Sequence, residues 1–103
     1  MSDHSRIESQ IATMHRVIAA RLRSGDWSPL AHAKANLDRW RGQFDGALPL
    51  AYAEWLQVLD QGGIRLLEVL ESDDEDAVRR RSSSPFAGVL TPQERWRILR
   101  HAA

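Results

Sequence analysis

The residues that could do chemistry in this chain are charged, and they are separated by sign along the sequence. Between residues 54 and 76 there are eight carboxylates, and Arg65 is the only base among them. Between residues 79 and 100 there are six arginines, and Glu94 is the only acid. An acidic surface can dock a basic partner, and clustered guanidinium groups can hold phosphate. The pattern therefore indicates recognition through charge.

Two sets of site residues follow from this separation. The first hypothesis is a protein-binding site that joins the acidic cluster to the apolar residues after it: Asp73, Asp74, Asp76, Phe86, Val89, Leu90 and Trp96. The alternative is a phosphate or nucleic-acid site built from the arginines: Arg79, Arg80, Arg81, Arg95, Arg97 and Arg100.

A third interpretation assigns part of the charge to helix stability alone. Glu75 with Arg79, and Asp76 with Arg80, stand four residues apart with the acid first. On an exposed helix such pairs contribute about 0.2–0.5 kcal/mol each. Local pairing of this kind does not reach back to Glu54, so the earlier carboxylates need arginines of another helix or of a partner.

Catalytic and metal-binding motifs are absent from the sequence. The chain has no cysteine, and none of its four histidines has metal-ligand spacing with a carboxylate. We find no phosphate-binding loop and no nucleophile motif. The sequence thus predicts no catalytic residue, no cofactor and no metal, and an enzyme or a ligand binder with a pocket between helices is kept as a further alternative. The zero formal net charge weighs against a dedicated nucleic-acid binder.

Composition also suggests where the protein works. The first residues lack the basic flank and apolar core of a signal peptide, and no apolar run is long enough to span a bilayer. We therefore expect a cytoplasmic protein without a membrane partner. Thirteen of the fourteen bases are arginine, with Lys34 the exception, which is typical of GC-rich bacterial genomes.

The elements that must position these residues read as helices. Residues 5–24 carry an apolar stripe with a period near 3.6, and Ser5 with Glu8 fits a capping box. Further helices are predicted from Ser28 to Gly42, from Leu48 to Asp60, from Ile64 to Glu71, from a Ser72 cap to Arg81, and from a Thr91 capping box onward. Residues 82–90 have no helical pattern.

The fold class is therefore predicted to be all-α: a compact bundle of four to six short helices, with an extended segment before the last helix. The chain should form a single domain over residues 1–103. Residues 1–71 would make the main bundle, which the first three helices chiefly form. Residues 72–103 would add the charged helix, the extended arm and the C-terminal helix.

These expectations favour a small non-catalytic bacterial protein-binding module, such as an antitoxin-like protein or a regulatory subunit. The partner would be another protein or a second copy of the chain, with nucleic acid as the alternative. Trp96 is the best candidate for an exposed anchor, because its helix has few apolar positions. The apolar residues of segment 82–90 should be buried, either on this chain's own core or on another subunit.

Overall fold

The structure of the protein is a computed structural model that describes residues 3–45 and 47–101, with side chains described for 6–45 and 47–100. This part of the chain forms six helices and no strand, which confirms the all-α prediction. The helices are α1 (Asp3–Arg23), α2 (Ser28–Gln43), α3 (Leu50–Asp60), α4 (Gly63–Glu71), α5 (Glu75–Arg81) and α6 (Pro92–His101).

Helix α1 is the element on which most of the bundle is assembled. It contacts α2, α4, α5 and α6, whereas α3 packs on α2, α4 and α5. The strongly apolar α4 packs against α1 as well as against α3. Ile18 and Leu22 of α1 are buried in the shared core.

The predicted cap of α1 is misplaced. The helical backbone already begins at Asp3, so Ser5 is inside the helix and is not its N-cap residue. The side chain of Ser5 lies outside the described side chains. At the other end α1 stops as expected, with Arg21 and Arg23 in the last turn and Gly25 at a φ of 97°, a value that favours glycine.

The caps of α2, α3 and α5 also differ from the predicted ones. The Ser28 side chain does not cap α2; instead the amide of Ser28 donates to Asp26 Oδ1. Helix α3 begins at Leu50, two residues later than predicted. Helix α5 is capped by Asp74, whose Oδ1 accepts from the Ala77 amide at 2.8 Å, and not by Ser72. The helices are where the apolar pattern places them, and only their first turns differ.

The core is centred on Trp55 of α3, which is fully buried. Its indole Nε1 donates to the carbonyl of Arg80 at 2.9 Å, and its ring meets Phe86 edge to face at a centroid distance of 5.8 Å. Trp55 thereby joins α3, α5 and the segment before α6. The buried core cluster to which it belongs has residues from α1, α2, α3 and α4, among them Leu22, Leu37, Leu66, Val69 and Leu70.

Candidate functional site

Helix α6 carries an exposed tryptophan together with exposed arginines. Gln93, Trp96, Arg97 and Arg100 are spaced i, i+3, i+4 and i+7, so they share one side of the helix, and they border a shallow surface groove. Trp96 is 61% exposed, and the guanidinium carbon of Arg100 lies 5.1 Å from the centre of its ring. We call these four residues the α6 face.

The opposite side of α6 fixes the helix to the bundle. The Thr91 amide donates to Glu94 Oε1 at 2.9 Å, and the Glu94 amide donates to Thr91 Oγ1 at 3.1 Å, which confirms the predicted capping box. The second carboxylate oxygen of Glu94 is ion-paired with Arg21 of α1. Ile98, one turn further on, packs against the core. The α6 face is therefore held outward by a helix that is anchored along its inner side.

The six predicted phosphate-binding arginines do not form one site, although Arg81 and Arg95 both line one cleft. Arg79 and Arg80 reach across to Glu54 of α3, with Arg79 Nη2 at 3.2 Å and Arg80 Nε at 3.4 Å from Glu54 Oε2. Arg81 is buried at 4% exposure. Arg95, Arg97 and Arg100 are exposed, and within the described residues none of these three has an ion-pair partner.

The pairing of α5 with α3 replaces the predicted pairs within α5. No Glu75–Arg79 or Asp76–Arg80 ion pair occurs among the described residues, although Asp76 lies 3.9 Å from Arg79. The carboxylate of Glu54 is a better partner because its side chain is only 22% exposed, whereas that of Asp76 is 73% exposed and strongly screened.

The acidic residues of the predicted protein-binding site also form ion pairs or hydrogen bonds within the chain. Asp73 lies 3.6 Å from Arg16 of α1. Asp74 caps α5, and hydrogen bonds from the Ala77 amide and the Ser72 hydroxyl lower its pKa. Glu71, just before them, is ion-paired with Arg23. Four carboxylates of the acidic stretch are thus paired with arginines of α1 or α5: Glu54, Glu71, Asp73 and Asp76.

The segment 82–90, which we call the arm, packs on this chain's own core. Phe86 and Leu90 are buried, at 5% and 6% exposure, and Val89 is half-buried. The three apolar arm residues predicted to bind a partner are therefore not exposed beside Trp96. The same burial means that removing the arm would open the core around Trp55.

Two polar residues that the sequence analysis did not single out hold the arm in place. Asn36 is buried in α2, and its Nδ2 donates to the carbonyls of Pro85 and Ala87, both at 2.9 Å. Asn36 falls within the apolar stripe of its helix, between Ala33 and Leu37, and that interruption was the available signal. A buried amide needs partners, and the arm's carbonyls supply them.

His15 is the second of these residues. Its Nδ1 lies 2.7 Å from the carbonyl of Ile11, so Nδ1 carries the proton and Nε2 accepts from the Ser84 hydroxyl, also at 2.7 Å. The pKa of His15 is lowered to about 4, chiefly by burial and to a smaller extent by the charge of Arg81, while the bond to Ile11 opposes the shift. A histidine with so low a pKa is a weak base, so the His15–Ser84 pair connects the arm to α1 and does not form an activated nucleophile.

A cleft with a volume of about 320 Å³ lies between α1, the arm and the start of α6. Its polar lining comes from His15, Arg81, Ser82, Ser84 and Arg95, and most of the remaining lining is apolar. In the part of the chain that the structure describes, no group of three or more potential metal ligands is found.

Fold and site together define a six-helix protein with an aromatic and basic helix face. Comparisons with protein-family models, with curated protein sequences and with solved structures found no match to this chain. Within the described residues, none of the helices combines the length and the apolar character needed to cross a membrane.

Proposed function

We propose that this protein is a small non-catalytic module that binds an acidic protein surface through the α6 face. The observation that carries the proposal is Trp96, a large aromatic side chain that is 61% exposed on a firmly anchored helix. Exposing an indole to water is unfavourable, and tryptophan is enriched among residues that dominate binding energy.

Charge defines the kind of partner. Arg97 and Arg100 lie on the same side of α6 as Trp96, and Arg95 lies on the neighbouring side of the helix. Because Glu94 is already used by Arg21, nothing on α6 neutralises these cations. A partner with an apolar pocket for the indole and carboxylates around it would complement the face. Leu99, 41% exposed, extends the apolar area.

A phosphate or nucleic-acid function has less support. Three of the six arginines in the sequence hypothesis have contacts within the fold. Arg79 and Arg80 form ion pairs with Glu54, and Arg81 is buried. Three surface cations on one short helix are a small electrostatic footprint for a phosphate backbone. An antitoxin-like or regulatory-subunit role in a bacterial cytoplasm remains the biological setting that we propose, supported by the size of the chain and its arginine-rich composition.

The test is capture of a partner by the full chain and by point variants. Trp96→Ala should lower affinity about thirtyfold, the equivalent of about 2 kcal/mol at a binding hot spot. Ile64→Ala is the matched control, because Ile64 is also an exposed apolar side chain, at 81%, but lies on α4. Point variants are preferred to deletion of the arm, since Phe86 and Leu90 belong to the core.

The full chain should retain one protein from native lysate at a ratio near 1:1, and raised salt should release it. The Ile64→Ala variant should still retain this partner, whereas Trp96→Ala should not. Affinity is then measured with the purified partner. Equal retention by both variants would exclude the α6 face. Retention of DNA or RNA on filters at low salt, abolished by Arg97→Ala and Arg100→Ala, would move the protein to the nucleic-acid class. If the sedimentation mass of the protein rises with concentration and Trp96→Ala abolishes that rise, the partner is a second copy of the chain.

A further inference from the structure

Arg81 is a buried cation without a bonded anion. Its exposure is 4%, and its Nη1 donates to the carbonyls of Val69 at 3.0 Å and Ser72 at 2.6 Å. Within the described chain no carboxylate lies within ion-pair distance of it, and its Nε and Nη2 donate no hydrogen bond. Buried charges are normally paired, because leaving water is costly for them.

The surroundings of Arg81 do not remove this cost. Asp73 and Asp74 stabilise its charge from a distance, but Arg16 opposes them, and burial lowers the pKa of the guanidinium. Asp73 is itself 3.6 Å from Arg16 and 86% exposed. The positive charge of Arg81 is therefore incompletely balanced by the protein.

Arg81 lines the cleft beside α1, and the composition of that cleft suits an anion with an apolar tail. Arg95 lies at the cleft as a second cation, and no Asp or Glu occurs among its described lining residues. The apolar part of the lining consists of Ile11, Met14, Ile18, Phe86, Ala87 and Leu90. A volume of about 320 Å³ is at the lower end of the range of ligand pockets.

The other polar side chains of the cleft already form hydrogen bonds within the protein, so the two arginines are the groups that can bind the negative charge of a ligand. The Ser84 hydroxyl donates to His15 Nε2 and accepts from the Phe86 amide at 3.2 Å. His15 is neutral near pH 7, because its pKa is about 4. It contributes neither a charge nor a free donor.

We propose that the cleft is a binding site for a monocarboxylate with an apolar chain, the chemistry of a medium-chain fatty acid. The carboxylate is held by the free donors of Arg81 together with Arg95, since planar guanidinium groups match a carboxylate's two oxygens. The chain lies along Met14, Ile18 and Leu90. This site is separate from the α6 face and does not depend on the protein-binding function.

The test is an NMR titration of the full chain with decanoate, at concentrations where decanoate is monomeric. The expected result is saturable amide shifts confined to residues 11–18, 81–90 and the turn of α6 around Arg95. Arg95→Gln should weaken binding about tenfold, as expected for loss of one charge-assisted contact. Arg97→Gln is the matched control on the same helix and should leave the affinity unchanged. Arg81→Gln should weaken binding at least as much, but this substitution also removes the bonds of Arg81 to the Val69 and Ser72 carbonyls. Arg95→Gln is therefore the decisive variant.

Decanol, which has the same chain without the charge, should bind at least tenfold more weakly than decanoate. Three outcomes would overturn the proposal: shifts spread over the whole surface or absent, decanol binding as tightly as decanoate, or Arg95→Gln and Arg97→Gln behaving alike. Trp96→Ala should leave decanoate binding intact, so failure of the α6 face and failure of the cleft are distinguishable.

Discussion

Acidification should destabilise this protein through His15 before its carboxylates are titrated. The imidazole has its ordinary pKa of about 6.5 in the unfolded chain and a pKa of about 4 in the folded protein. Between these values the unfolded chain binds a proton that the native protein does not, so stability falls as the pH falls. The linkage relation gives a loss of about 2 kcal/mol between pH 7.5 and pH 5, and about 3 kcal/mol over the whole window. That is a large part of a typical domain's stability.

Urea denaturation at pH 7.5, 6, 5 and 4.5, followed by far-UV circular dichroism, measures this effect. With an m-value of about 1–1.5 kcal/mol per molar, the midpoint should fall by roughly 1.3–2 M between pH 7.5 and pH 5. His15→Gln remains uncharged throughout and should lose most of this dependence, whatever its stability at pH 7.5. His32→Gln, which removes an exposed imidazole, should keep it. If His15→Gln and the natural protein show parallel pH profiles, His15 is not the buried neutral group described above.

Two further substitutions test how the arm and α6 are held. Asn36→Ala should destabilise the protein by about 2–3 kcal/mol in urea denaturation, because it leaves the carbonyls of Pro85 and Ala87 without their donor, and a change below about 0.5 kcal/mol would refute that role. Thr91→Ala should cost about 1 kcal/mol by removing the acceptor for the Glu94 amide, whereas Thr91→Ser should restore most of it; equal stabilities of the two variants would contradict the capping box.

Much of the fold could be predicted from local pattern. The apolar periodicity of α1, with Ile18 and Leu22 inside, depends only on neighbours within a few turns, and so does the reciprocal bonding of Thr91 and Glu94. The exposure of Trp96 also followed from its own helix, which has too few apolar positions to bury every large side chain. The predicted cap at Ser72 shows the limit of local motifs, since the neighbouring Asp74 caps α5 instead by accepting from the Ala77 amide.

The sequence by itself determined the helical class, the approximate extent of the six helices and the side of α6 that faces water. Only the tertiary structure decided which charges remain available. Glu54 and Arg79 are 25 residues apart, and their pairing depends on how α3 and α5 pack, which no local pattern encodes. In the same way, only tertiary contacts decided that Arg81 is buried and that Phe86 packs on this chain's own core beside Trp55. Local periodicity specifies the face of each helix, whereas the choice of partner for that face depends on contacts between residues distant in sequence.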